Sequence, residues 1–265
     1  MLKKYLFSSL AHYSLADIFT IHEQSRISSN LSSITHSPLL VCCEGRNFRS
    51  IEAPHQFVAG DMVFLCWNRP SLKQQKACID RTDSFNYDGK FKGATAGSVS
   101  SLQKDMHLSE AGFLLNHARI FLGSGLETYE KAKFALRNWR HFQLSWTFVD
   151  CATPIKSGAK FCVCVNEFLP WLMLPLQVLY VNENEGTNKL KASLSFGSGT
   201  LQGHLLAGEE RFSVELDENN KVWYEILSFS KPACFISFVA FPYVRLRQKY
   251  FVAESTKAVL KHCSS

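Results

Sequence analysis

The chain has 265 residues, 46% hydrophobic, 20% charged and 13% aromatic, with a net charge of +6 and a pI near 8.8. That composition is too apolar for a disordered chain and sufficient for a sizeable core, and the length suits one large domain or two small ones. The positive excess is confined to residues 62–265, because residues 1–61 balance five basic against five acidic side chains. Its Lys and Arg are interleaved with Glu and Asp, without a dense basic stripe, so no nucleic-acid partner is expected.

Nine cysteines, an odd number with no secretory signal ahead of them, point to reduced thiols rather than a disulfide framework. Cys162 and Cys164 lie in an apolar run, and no second Cys/His pair stands at zinc-binding spacing, so neither a metal nor a cofactor is expected. The longest apolar stretches, 168–181 and 232–244, contain proline and fall short of the roughly 20 residues that a membrane-spanning helix needs.

Residues 1–61 have weak periodicity and a Ser-rich stretch from Ser25 to Ser37. They read either as a transit-like peptide, against which Asp17, Glu23, Glu44 and Glu52 count, or as an upstream extension ahead of a start at Met62. A poorly ordered extension is expected here, followed by a single domain over 62–265.

Within that domain a short helix is predicted near 72–79 and a Gly/Asp-rich turn region over 86–97. Leu114, Ala118, Ile120 and Leu122 mark a strand face. Ser124 and Glu127 stand at capping-box spacing ahead of a helix whose stripe is Tyr129, Ala132, Leu136 and Trp139, with Glu127 and Lys131 as a surface pair. Strands follow at 161–165, 176–181, 192–196 and 212–216, then a turn at Asp217-Glu-Asn-Asn220 and a hairpin partner over 222–229. Ser230 and Pro232 predict the start of a long C-terminal helix reaching about His262 and kinked at Pro242. The order lacks βαβ alternation. The expected fold class is α+β: a curved antiparallel sheet with one short helix and a long C-terminal helix, similar to the START-like helix-grip architecture.

The Gly-rich run from Phe196 to Phe212 carries no phosphate-binding loop, no dinucleotide fingerprint and no nucleophile elbow. Glu209 and Glu210 are adjacent on a strand and therefore point to opposite faces, which rules out a convergent carboxylate pair. No catalytic constellation emerges, and a non-enzymatic protein is expected. Thr200, His204, Glu209, Glu210 and Tyr224 are the candidate ligand contacts. Arg245, Arg247 and Lys249, beside Tyr250 and Phe251, are the candidate membrane-surface residues, set against the plainer reading of a solvated helix face.

The runs Leu115-Asn-His-Ala-Arg119, Glu127-Thr-Tyr-Glu-Lys-Ala132, Gly199-Thr-Leu-Gln-Gly-His204, Gly208-Glu-Glu-Arg-Phe212, Trp223-Tyr-Glu-Ile226 and Ser228-Phe-Ser-Lys-Pro232 resemble the DUF1990 family, in its plant branch. The resemblance implies no catalytic residues. It does imply an ion-conducting, cation-permeable pore of the plastid outer envelope, as a homo-oligomer or part of a larger assembly. The residues themselves fit a second expectation: a cytoplasmic module that holds an apolar ligand or lipid between sheet and helix, working at a membrane surface.

Overall fold

The computed structural model describes residues 64–264 apart from 168–169 and 188–189. The N-terminal extension and the start at Met62 lie outside the described residues. Eight strands make one antiparallel sheet: β1 (Phe64–Cys66), β2 (Leu114–Ser124), β3 (Thr147–Phe148), β4 (Lys160–Asn166), β5 (Trp171–Thr187), β6 (Leu190–Thr200), β7 (Leu206–Asp217) and β8 (Lys221–Pro232). Their spatial order is β2-β8-β7-β6-β5-β4-β3, and β1 pairs with the first residues of β5. Helices α1 (Leu72–Asp80), α2 (Val99–Lys104), α3 (Met106–Glu110), α4 (Leu126–Arg137), α5 (Phe235–Val239) and α6 (Phe241–Ser264) complete the described chain. The sheet curls as a half-barrel, and the long C-terminal helix lies on its inner face.

Alternation along the strands assigns the two faces. On the inner face Phe161, Leu176, Phe196, Phe212, Val214, Tyr224 and Ile226 form one core with Tyr129, Ala132 and Leu136 of α4 and with Phe251, Val252 and Val259 of α6. The predicted α4 stripe is therefore buried as read, and Lys131 pairs with Glu127 at 3.0 Å. Helix α6 is fixed at two places. The hydroxyls of Tyr224 and Ser255 meet at 2.7 Å, while Tyr243 and Arg247 both bond Glu167 between β4 and β5.

The outer face is also covered. Residues 85–113 fold as short turns and helices whose Tyr87, Phe91, Leu102, Leu108 and Phe113 pack against Ala207, Leu227 and Phe229 of β7 and β8. Strand β6 accommodates this layer and a ring of β5 through missing side chains. A Cβ on Gly197 would stand 2.4 Å from the Tyr180 ring, and one on Gly199 would stand 2.3 Å from the Tyr87 hydroxyl. The Gly-rich run is thus a surface that aromatic rings lie against at Gly197 and Gly199.

Three local expectations are corrected. The cap of α4 is Gly125 at φ 92°, where a glycine meets no Cβ strain, and the Ser124 carbonyl accepts from Thr128 Oγ1 at 2.9 Å. Ser230 and Pro232 end strand β8 rather than opening a helix, because their backbone pairs with Gly208 and Leu206. The C-terminal helical region is split in two at Ala240, and Pro242 sits in the first turn of α6, where a missing N–H disrupts nothing. The fold also holds more than one short helix besides α6.

Candidate functional site

The adjacent carboxylates of β7 separate by face, as strand geometry requires, and their surroundings differ completely. Glu209 points outward, is 3% exposed, and accepts four hydrogen bonds. Tyr87 Oη at 2.8 Å and the Gly93 amide at 2.6 Å reach Oε1; the Thr95 amide at 3.1 Å and Thr95 Oγ1 at 2.9 Å reach Oε2. Burial, reinforced by the Glu209 charge, pushes the Tyr87 phenol well above its ordinary range. Beside it Arg211 donates to the Thr95 and Gly97 carbonyls at 2.7 and 2.9 Å and to Glu225 Oε1 at 2.6 Å. Burial by itself raises the Glu225 pKa, but Arg211 and His117 outweigh it and hold the carboxyl below its usual value. This outer network fastens the 85–113 layer to the sheet.

Glu210 points inward. It lies across from Ser198 on β6 and Ser228 on β8, two residues along from Phe212, Phe196 and Ile226, so the three polar side chains form a row at the edge of the aromatic core. Glu210 is half-buried, and among the described residues no donor reaches its carboxylate. Burial raises its pKa from the ordinary 4.5 to about 7.

A second inward group lies over the next row. His141, in the short turn Arg140–Phe142 after α4, is fully buried, with its ring 4.6 Å from that of Phe212 and 4.8 Å from that of Phe142. Neither ring nitrogen has a protein partner, and burial lowers its pKa to about 3. Trp146 Nε1 and Thr147 Oγ1 are likewise buried without partners. Thr147 pairs with the inward Val165, and Trp146 packs against the same core. Buried polar atoms in folded proteins almost always find a hydrogen bond, so three such groups set against one aromatic core mark it as a place for polar company.

Of the residues singled out in the sequence, Glu210 and Tyr224 face this core, the latter with its hydroxyl engaged by Ser255. Thr200 closes the end of the sheet by accepting from the Gly208 amide at 2.9 Å and bonding Asn86 Oδ1 at 2.5 Å. His204 sits in the β6–β7 connection, accepts from the Leu206 amide at Nδ1 at 2.9 Å, and is lowered to about 4 mainly by burial. Glu209, as shown, is turned away. Arg247 stacks on Trp146 at 3.9 Å and bonds Glu167 at 2.7 Å, whereas Arg245 and Lys249 are exposed. His141 was not visible as a site residue in the sequence. Its one signal is the unbroken bulky run Trp139-Arg-His-Phe142, where an imidazole replaces an expected apolar residue.

The raised Glu210 pKa has a measurable consequence. The folded state holds this proton more tightly than the unfolded chain, so its contribution is full below about pH 4.5 and is lost as pH rises through about 7. Glu210→Gln is expected to change little at pH 4.5 and to raise stability at pH 8 by at most about 3 kcal/mol. Urea unfolding at the two pH values checks this; equal changes at both would remove Glu210 from the buried row.

The chain has relatives among known proteins. A UPF0548 protein of Arabidopsis thaliana is 58% identical over 204 residues, covering 77% of this chain and all of the relative. A UPF0548 protein of Dictyostelium discoideum is 30% identical over 212 residues, covering 76% of this chain and 96% of the relative. Among solved structures, ginseng major latex-like protein 151 from Panax ginseng superposes with a TM-score of 0.36 at 14% identity, over 57% of this chain and 97% of that one. At that level of likeness the fold rests on the strand register and helix placement given above. Residues 99–258 match the domain of unknown function DUF1990, and with these relatives the chain belongs to the DUF1990 family.

Proposed function

We propose that the domain is a non-catalytic binding module for a largely apolar small molecule with a polar end, held between the inner face of the sheet and helix α6. The observation that carries this reading is the set of buried polar groups without partners, His141, Trp146 and Thr147, in an otherwise aromatic core, with the half-buried Glu210 on the same face of the sheet. Ligand sites of this kind combine apolar walls with a few convergent polar atoms. Glu210 titrates near neutrality, so it accepts from a ligand hydroxyl or amine as carboxylate and donates to a ligand carbonyl as acid. The neutral His141 ring offers one donor and one acceptor.

The test is a fluorescence titration of the full chain with 1-anilinonaphthalene-8-sulfonate, paired with native mass spectrometry of protein purified without detergent. Saturable enhancement is expected, together with its loss in Ser228→Trp, which fills the space beside Glu210. Enhancement that survives Ser228→Trp in a folded protein would place the dye elsewhere and sink the reading.

The pore implied by family resemblance draws no support from the described residues. None of their helices is long and apolar enough to cross a membrane, so among the described residues only strands could span one. A lipid-facing barrel needs an apolar outer band. Here the outward positions of β2, β7 and β8 carry Arg119, Arg211, Glu215 and Glu225, joined by ion pairs of 2.6–3.4 Å.

A further inference from the structure

Helix α5 reverses the usual arrangement of a surface turn. Its polar residue, Ser237, faces the protein at 1% exposure and bonds the Cys234 carbonyl and amide at 2.9 and 3.1 Å. The four apolar residues face outward: Phe235 at 77% exposure, Ile236 at 58%, Phe238 at 69% and Val239 at 64%. Leu246, one turn into α6, adds a fifth at 59%. Isolated exposed apolar side chains are ordinary, but a contiguous patch marks an interaction surface. An open groove of about 480 Å³ runs beside it, lined by Gly112, Lys231, Pro232 and Ala233 together with Phe235 and Phe238.

Charge identifies the occupant. Between Glu225 and Glu254 the chain carries Lys231, Arg245, Arg247 and Lys249 and no acidic residue. Arg245 and Lys249 are exposed on the helix that begins next to this turn. A five-residue helix is only about 7 Å long, too small for the roughly 800 Å² per partner that a specific protein interface buries. A bilayer demands less: apolar side chains that reach below the headgroups, and basic side chains level with anionic ones.

We propose that α5 inserts into an anionic lipid surface, with Phe235, Ile236, Phe238 and Val239 entering the acyl region and Arg245 and Lys249 contacting the headgroups. The Arg247 expected to join them is committed instead to Glu167 and Trp146. This surface is independent of the binding reading above, since its residues lie outside the Glu210 row.

The experiment is flotation of the full chain with phosphatidylcholine vesicles with and without phosphatidylglycerol, at low and high salt. Binding to the anionic vesicles that weakens with salt is expected. Phe235→Ser with Phe238→Ser, both at exposed positions, should weaken it at least about tenfold without lowering the Tm. Arg245→Glu with Lys249→Glu should abolish the preference for phosphatidylglycerol. Phe238→Trp should show a blue-shifted emission that brominated lipid quenches. A wild-type chain that stays unbound, or a Phe235/Phe238 double variant that binds equally well, overturns the proposal. So does sedimentation showing a dimer that the same double variant dissolves, because the patch is then buried against a second copy.

Discussion

Among the described glycines, Gly208→Ala is expected to produce the largest loss of stability. Gly208 has φ +148°, a conformation that L side chains rarely adopt, and a Cβ there would lie 2.0 Å from the Phe229 carbonyl oxygen and 3.0 Å from the Ser230 Cα. Both obstacles are backbone of the neighbouring strand, so no side-chain rotation relieves the clash. The amide of Gly208 also donates to Thr200 Oγ1, so separating β7 from β8 here loosens the end of β6 as well. Backbone strain and overpacking together put the cost at about 3–5 kcal/mol, a large share of the stability of an ordinary domain. Gly89, where an added methyl would meet nothing within 4 Å, is the control: Gly89→Ala should be close to neutral. Urea unfolding followed by circular dichroism decides it, and equal midpoints for the two variants would refute the close approach.

Glu209→Ala is the second large effect. The carboxylate satisfies four donors, two of them backbone amides, in a site that water does not reach. Removing it strands those donors and leaves Tyr87, Gly93 and Thr95 without their shared anchor, at about 3–5 kcal/mol. The damage should be localised. Amide exchange should rise over residues 86–97 while the inner strands keep their protection, and trypsin should cut at Lys90 and Lys92 in the variant before it cuts elsewhere. Uniform loss of protection would mean that the outer layer and the inner core unfold as one.

Elements with a strong period were legible. The β7–β8 hairpin follows from alternation plus the Asp217-Glu-Asn-Asn220 turn, where Asp217 accepts from the Asn219 and Lys221 amides and from Trp223 Nε1, and Asn220 takes φ 60°. Helix α4 follows from its buried stripe. The opposite facing of Glu209 and Glu210 also follows from the strand period, but which one turns inward depends on Phe196, Phe212 and Ile226 meeting α6, and that is a tertiary fact. The 85–113 layer had no period to read because it is built from turns. Asp88 caps one, Gly93 at φ 81° opens the next, and Ser98 caps α2. His141 escaped notice because burial without a partner is a property of its surroundings and leaves no mark on its neighbours in sequence.

The bonds that attach the outer layer join residues 114 to 122 positions apart. Synthesis proceeds from the N-terminus, so Phe91, Leu102, Leu108 and Phe113 leave the ribosome long before β7 and β8 exist to cover them. Contacts of such long range also form late in refolding, after the local hairpins. The nascent chain therefore carries a sticky leading segment that needs shelter until its last strands arrive, which makes it a natural client for a chaperone that binds extended apolar segments.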